Sequence, residues 1–199
     1  MSLAPSVVIV LVQQFSVAIL IGGDSSRMGT NKAIFEVDGV AMAQRVALAA
    51  VESGASEVLL IGGTQASAKT LSGKWFKDGW PGEGPLGGII TALKNAKNDA
   101  VVVLSCDMPF LTAGVIHSLV AGLTDAQAAV GRTDRLNWLC AAWSQGECLN
   151  TMQGIWKRNE RAVHRAAALL DVIEVPVPAN AVRNINCMAD LDLIDGSAE

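Results

Sequence analysis

Val17-Ala18-Ile19-Leu20-Ile21 runs without a break into Gly22-Gly23-Asp24-Ser25-Ser26-Arg27-Met28-Gly29-Thr30-Asn31-Lys32. A continuous apolar run of this length, ending in glycines, reads as a strand buried on both faces, spanning 16–21, that opens into a loop. Glycines bring the loop backbone close to a ligand and expose its N–H groups. Arg27 adds a planar fork of donors and Lys32 a mobile point charge. A glycine-rich loop carrying both cations behind a buried strand reads as a cradle for several phosphates, as in a nucleoside triphosphate. A plain turn with two solvated charges is the weaker reading.

Two familiar phosphate loops do not match. A Walker A loop requires Gly-Lys-Ser/Thr, whereas Lys32 is followed by Ala33 and Ile34. The dinucleotide fingerprint Gly-x-Gly-x-x-Gly is broken by Gly22-Gly23-Asp24, and no acidic ribose partner ends a clear second strand.

Outward from this loop, short apolar runs alternate with longer Ala-rich or amphipathic segments. The pattern predicts strands at 16–21, 57–61, 101–105, 126–131, 138–143 and 171–176. It predicts helices at 41–54, 64–71, 86–97, 112–122, 147–168 (broken) and 188–194. Alternation over the first 125 residues implies βαβ units and a mostly parallel sheet. The expected fold class is α/β, a single-domain, Rossmann-like three-layer α/β/α arrangement.

The 199 residues suffice for one core, and no repeat or linker divides them. Hydrophobic residues make up 51% and charged residues 17%, which suits a sheet covered on both faces. A net charge of −4 gives no electrostatic footprint for nucleic acid. The apolar run Val7–Val12 is too short for a membrane span and lacks a signal peptide's flanks. Residues 1–15 therefore read as an N-terminal extension and 16–199 as the domain. Cys106, Cys140, Cys148 and Cys187 show neither Cys-x-x-Cys pairing nor metal spacing, which points to reduced thiols and the cytoplasm. His117 and His164 are isolated and read as structural or surface residues.

In an open parallel sheet the chemistry sits beyond the carboxyl ends of the strands. Ser105-Cys106-Asp107-Met108-Pro109 follows Val101–Leu104, and an Asp at such a tip is a candidate Mg²⁺ ligand. Its alternative is a turn or cap role. Gly82-Glu83-Gly84-Pro85-Leu86-Gly87-Gly88 places Pro at a helix start, where its missing N–H costs nothing and neighbouring amides stay open to a base or phosphate. A plain loop-to-helix start is equally compatible. Asn184 and Asn186 alternate, so in an extended segment they would point the same way, toward phosphate or a metal; a helix cap is the other reading.

Taken in order, four stretches resemble the molybdenum cofactor guanylyltransferase family of MobA-type nucleotidyltransferases. They are Gly22-Gly23-x-Ser25-x-Arg27-Met28-Gly29-x-x-Lys32, Gly84–Ile89, Cys106–Leu111, and Asn184-Ile185-Asn186 followed by Asp190-Leu191. The resemblance spans roughly residues 16–195. It implies a fold like the nucleotide-diphospho-sugar transferases and transfer of GMP from GTP to the phosphate of molybdenum-loaded molybdopterin, with release of pyrophosphate. By position, it implies that Leu20, Gly22, Gly23, Ser25, Arg27, Lys32 and Asp78 bind GTP and that Asp107 binds both nucleotide and Mg²⁺. Arg27, Lys32 and Asp107 become the catalytic set, and Asn184 and Asn186 lie near the acceptor. It implies transient contacts with molybdoenzymes or cofactor chaperones, and neither nucleic acid nor membrane as partner.

This chain departs from the family at three places. Leu136-Asn137-Trp138 stands where a His-Pro pair is usual, an expected Asn falls near Ile61 or Gly62, and Cys187-Met188-Ala189 replaces Thr-Pro-Glu. The same superfamily holds cytidylyltransferases and other nucleotidyltransferases with small phosphate acceptors, which remain alternatives. Outside the class, a dinucleotide-dependent oxidoreductase is disfavoured by the broken glycine spacing, and a non-catalytic nucleotide- or pterin-binding protein is disfavoured by Lys32 and Asp107 together.

Overall fold

The fold is described from a computed structural model covering residues 13–23, 32–186 and 190. Thus the Val7–Val12 run, Ser25, Arg27, Cys187 and all but Asp190 of the helix expected at 188–194 lie outside the described residues.

The chain opens with β1 (Phe15–Leu20) and resumes with a 3₁₀ turn at Lys32–Ile34. A small hairpin of β2 (Glu36–Val37) and β3 (Val40–Ala41) turns at Asp38-Gly39 and leads into α1 (Met42–Glu52). Next come β4 (Glu57–Ile61), the short α2 (Gln65–Ala68), β5 (Lys74–Phe76) and α3 (Pro85–Asn95). β6 (Ala100–Ser105), α4 (Ala113–Gly122), β7 (Ala128–Arg132) and β8 (Leu136–Ser144) follow, then α5 (Gln145–Lys157), α6 (Val163–Ala167) and β9 (Val172–Pro176).

The seven-stranded sheet has the order β5-β4-β1-β6-β8-β7-β9. β8 pairs antiparallel with both neighbours, and every other pairing is parallel. β1 lies at the centre, with Ile19 between Leu60 of β4 and Leu104 of β6. All six of its residues are buried, as the unbroken apolar run requires. One face packs Val46, Ala47 and Ala50 of α1 and Ile116 and Leu119 of α4; the other packs Leu86, Ile89 and Leu93 of α3, Met152 and Trp156 of α5, and Ala166 of α6. This is the three-layer α/β/α arrangement read from the sequence.

The amino ends of the strands carry a structural polar cluster. Ser16 donates to Glu57 Oε1 at 2.7 Å and accepts from Asn98 Nδ2 at 2.9 Å, and Lys97 N donates to the same Glu57 oxygen at 2.6 Å. These bonds satisfy a fully buried hydroxyl. The carboxyl ends, opposite, are left to loops.

The packing is tight where helix α4 meets the sheet. A Cβ built on Gly122 would stand 2.7 Å from Ala129 Cβ and 3.0 Å from Ile173 Cδ1. Ala129 Cβ cannot rotate away, so Gly122→Ala should lose about 1–3 kcal/mol through overpacking, more than Ala gains over Gly in helix propensity. Urea unfolding of the two proteins checks this; equal midpoints would contradict the packing.

Candidate active site

The carboxyl ends of β1, β4 and β6 converge on a cavity of about 390 Å³. Its walls include Leu20, Gly22 and Gly23 after β1, Ile61 at the end of β4, Asp78 after β5, Gly84, Pro85 and Gly88 at the start of α3, and Ser105, Cys106 and Asp107 after β6. Lys32, from the 3₁₀ turn, closes one side.

Glycine makes the floor possible. The loops after β1 and β4 cross backbone to backbone: a Cβ on Gly22 would stand 3.1 Å from Gly63 N, and one on Gly62 3.2 Å from both Gly22 N and Gly22 Cα. Gly62 also has φ +81°, which other residues rarely adopt. Gly62, near the place where the family's Asn is expected, is here one half of this crossing.

Lys32 and Asp107 sit side by side in the cavity lining. Lys32 Nζ lies 3.6 Å from Asp107 Oδ2 and donates to Asn186 Oδ1 at 2.6 Å. Asp107 Oδ1 accepts from Ser105 Oγ at 2.6 Å, and Ile185 N donates to the Asp107 carbonyl at 2.9 Å. The segment at 184–186 is thereby tied to the tip of β6. Both charged side chains are only partly open to solvent, 26% for Lys32 and 13% for Asp107. A multiply charged ligand entering here would meet low local screening. Cys106, between Ser105 and Asp107, points into the core; burial, with Asp107's charge adding, pushes its thiol up to about 12. It stays protonated at ordinary pH and is no nucleophile.

Asp78 is built into its loop. Its Oδ1 accepts from Trp80 N at 3.0 Å and from Thr91 Oγ1 at 3.2 Å. Gly84, with φ +92°, caps α3, and Pro85 takes the first helical position. The first-turn N–H groups of this helix have no intrahelical acceptor, and Gly84, Pro85 and Gly88 from its start line the cavity.

A second cavity of about 560 Å³ adjoins the first and shares Pro85 and Leu139 with it. Thr133, Arg135, Trp138, His164, Val182 and Asn184 are among its lining residues. An irregularity in the sheet creates the shared wall. Val130 pairs with Ala141 but Gly131 with Asn137, so Trp138, Leu139 and Cys140 have no partner on β7, while Cys140 still pairs with Leu104 of β6. A Cβ on Gly131 would meet Cys140 O at 2.9 Å. Such bulges re-aim side chains next to sites.

The site is thus a glycine-floored cavity at the ends of parallel strands, with a Lys and an Asp paired in its lining. Residues 17–172 match the MobA-like NTP transferase domain. The chain belongs to that family. Over 140 residues it is 36% identical to the probable molybdenum cofactor guanylyltransferase of Clostridium perfringens, with 69% of each chain covered. Over 176 residues it is 31% identical to the probable molybdenum cofactor guanylyltransferase of Pelotomaculum thermopropionicum, covering 88% of this chain and 82% of that one. The crystal structure of molybdopterin-guanine dinucleotide biosynthesis protein A from Archaeoglobus fulgidus shares the fold, with a TM-score of 0.74 at 22% identity, covering 91% of this chain and 97% of the other.

Of the residues the MobA-like motifs single out, Leu20, Gly22, Gly23, Lys32, Asp78 and Asp107 line one cavity. Arg27 and Ser25 lie outside the described residues. Asn184 and Asn186 are both exposed on either side of buried Ile185, as their alternation suggests. Asn184 lines the second cavity, whereas Asn186 turns its amide oxygen to Lys32. Ile185 between them is buried, and its N–H is tied to the Asp107 carbonyl. Leu139, on the wall shared by the two cavities, carries no sequence signal for that place, and His164, exposed as expected, lines the second.

Proposed function

We propose that this protein transfers GMP from GTP to the terminal phosphate of molybdenum-loaded molybdopterin. An oxygen of the acceptor phosphate attacks the α-phosphorus of GTP. A new P–O–P link forms, the bond between the α-phosphorus and the bridging oxygen breaks, and pyrophosphate leaves. What carries this reading, within a family whose relatives bear the guanylyltransferase name, is the placement of Lys32 and Asp107 in one cavity that shares a wall with a second. The first cavity takes the nucleotide and the second the acceptor, which brings the two phosphate-bearing substrates to the Pro85–Leu139 wall.

The chain's own groups supply position and charge. Lys32 offsets charge that develops on the leaving pyrophosphate. The glycine floor lets the triphosphate approach the main chain, and the open amides of α3 lie beside it. No side-chain nucleophile is needed, because the acceptor phosphate is one already. We assign Arg27 to the triphosphate on its place in the loop motif, and Asn184 to the acceptor on its place in the second cavity.

The residues fit a Mg²⁺ ion. Asp107 offers a hard carboxylate oxygen at Oδ2, and among the described residues no group of three or more His, Cys, Asp or Glu would hold a metal alone. An ion here must draw its remaining ligands from phosphate and water, which is how Mg²⁺ is usually bound. When bound it offsets triphosphate charge and polarises the α-phosphate.

The base preference follows from Asp78. Guanine presents N1–H and an amino group to an acidic acceptor, and O6 to N–H donors such as those at the start of α3. Oδ1 of Asp78 is occupied by Trp80 and Thr91, which leaves Oδ2 for the base. A competitor lacking the pattern leaves polar groups unmet at about 1–3 kcal/mol each. GTP should therefore bind at least tenfold (about 1.4 kcal/mol) more tightly than CTP or ATP, and Asp78→Ala should erase much of that margin. Competition binding decides it. CTP bound as tightly as GTP would favour a cytidylyltransferase, and unchanged selectivity in Asp78→Ala would remove Asp78 from base recognition.

A further inference from the structure

Ser105 is the last residue of β6, and its side chain lies on the same side of the chain as Asp107, while Cys106 between them faces the core. Its hydroxyl donates to Asp107 Oδ1 at 2.6 Å. The Asp107 main chain is fixed separately by the bond from Ile185 N. The carboxylate group of an aspartate otherwise rotates in a broad torsional well. With Oδ1 occupied by a short hydroxyl bond, Oδ2 alone is presented to the cavity, where Lys32 Nζ stands 3.6 Å away. An oxygen presented in this way suits one-oxygen coordination of a cation whose other ligands come from phosphate and water. Groups that hydrogen-bond to a ligating carboxylate orient it and tune its metal.

We propose that Ser105 is a positioning residue for the metal-bound nucleotide: its hydroxyl fixes Asp107 by Oδ1 so that Oδ2 meets the ion. The proposal rests on the reading of Asp107 as metal ligand. Nothing in the family's Cys-Asp-Met-Pro motif includes this position, which lies just before it. In this scheme the hydroxyl acts through Asp107, so its effect should fall on metal-linked nucleotide affinity and leave the fold alone.

The experiment is calorimetric titration of the full chain with GTP in Mg²⁺ and in EDTA. The ratio of the two dissociation constants measures how far the metal tightens binding. Ser105→Ala and Ser105→Val should reduce that ratio by about tenfold, as loss of an outer-shell partner commonly does. Ser105→Thr, the same shape as Val with the hydroxyl kept, should stay close to the parent. Melting temperatures should agree across all three variants. Asp107→Asn run alongside separates the two claims. If Asp107→Asn loses the metal effect and Ser105→Val does not, Ser105 has no such role. If Thr falls as far as Val, shape rather than the hydroxyl is responsible and the proposal fails. If neither Asp107→Asn nor Ser105→Val alters the ratio, the metal reading of Asp107 falls and takes this proposal with it.

Discussion

Replacing Asp107 by Asn is expected to abolish nucleotidyl transfer while leaving the protein folded. The side chain is close in shape, and the two fixed points of this loop survive. Ile185 still has the main-chain carbonyl to bond, and Ser105 still has an amide oxygen to donate to. What disappears is the negative charge 3.6 Å from Lys32. A carboxylate-to-amide change removes the hard anionic ligand that Mg²⁺ requires. Metal stabilisation of transition-state charge is worth several kcal/mol, so turnover should fall by about 10³-fold or more. Pyrophosphate release at ordinary Mg²⁺ concentrations, with a circular dichroism melt as control, reads the outcome. Wild-type turnover in Asp107→Asn would remove this residue from the catalytic set.

Lys32→Ala should be the second most damaging change, with a loss of about 10²-fold in turnover or triphosphate affinity. Lys97→Ala is the matched comparison. Lys97 is 76% exposed at the other end of the sheet, with Nζ 3.9 Å from Glu57, and its removal should have little effect. Lys32 stands at the cavity wall between Asp107 and Asn186. Lys32→Arg should rescue only in part, because a planar fork replaces a compact charge. Equal effects of the two alanine changes on nucleotide affinity and turnover would show that the cavity is not a phosphate cradle.

The parts of the molecule that burial dictates were legible in the chain. Val17–Ile21 and Val101–Leu104 must be covered on both faces, so they read as central strands, and they pair side by side as β1 and β6. Because ligand loops in such sheets follow the strands, the runs also pointed to Lys32 and Asp107. The helical pattern at 147–168 breaks as expected, into α5 and α6 around Arg158–Ala162. Elements held by their neighbours were not legible. β5 is three residues at the sheet edge, with Lys74 exposed, and exists through its pairing with β4. The strands joined at Asp38-Gly39 are two residues each, too short to carry a pattern. The expected helix at 64–71 shrinks to four residues, as the chain turns toward β5. The bulge at Trp138–Cys140 depends on Gly131 from another strand, so nothing local to β8 announces it. For the same reason the second cavity follows from tertiary contacts that no spacing rule encodes.

The central claim is that two adjoining cavities bring GTP and a pterin phosphate together for transfer. It is tested most directly by pyrophosphate release from purified protein with GTP or CTP, each with and without molybdenum-loaded molybdopterin. Release should require both GTP and the pterin, with formation of the guanine dinucleotide and only slow release from CTP. Binding of GTP and pterin without any pyrophosphate release would contradict it and leave a carrier in place of a transferase.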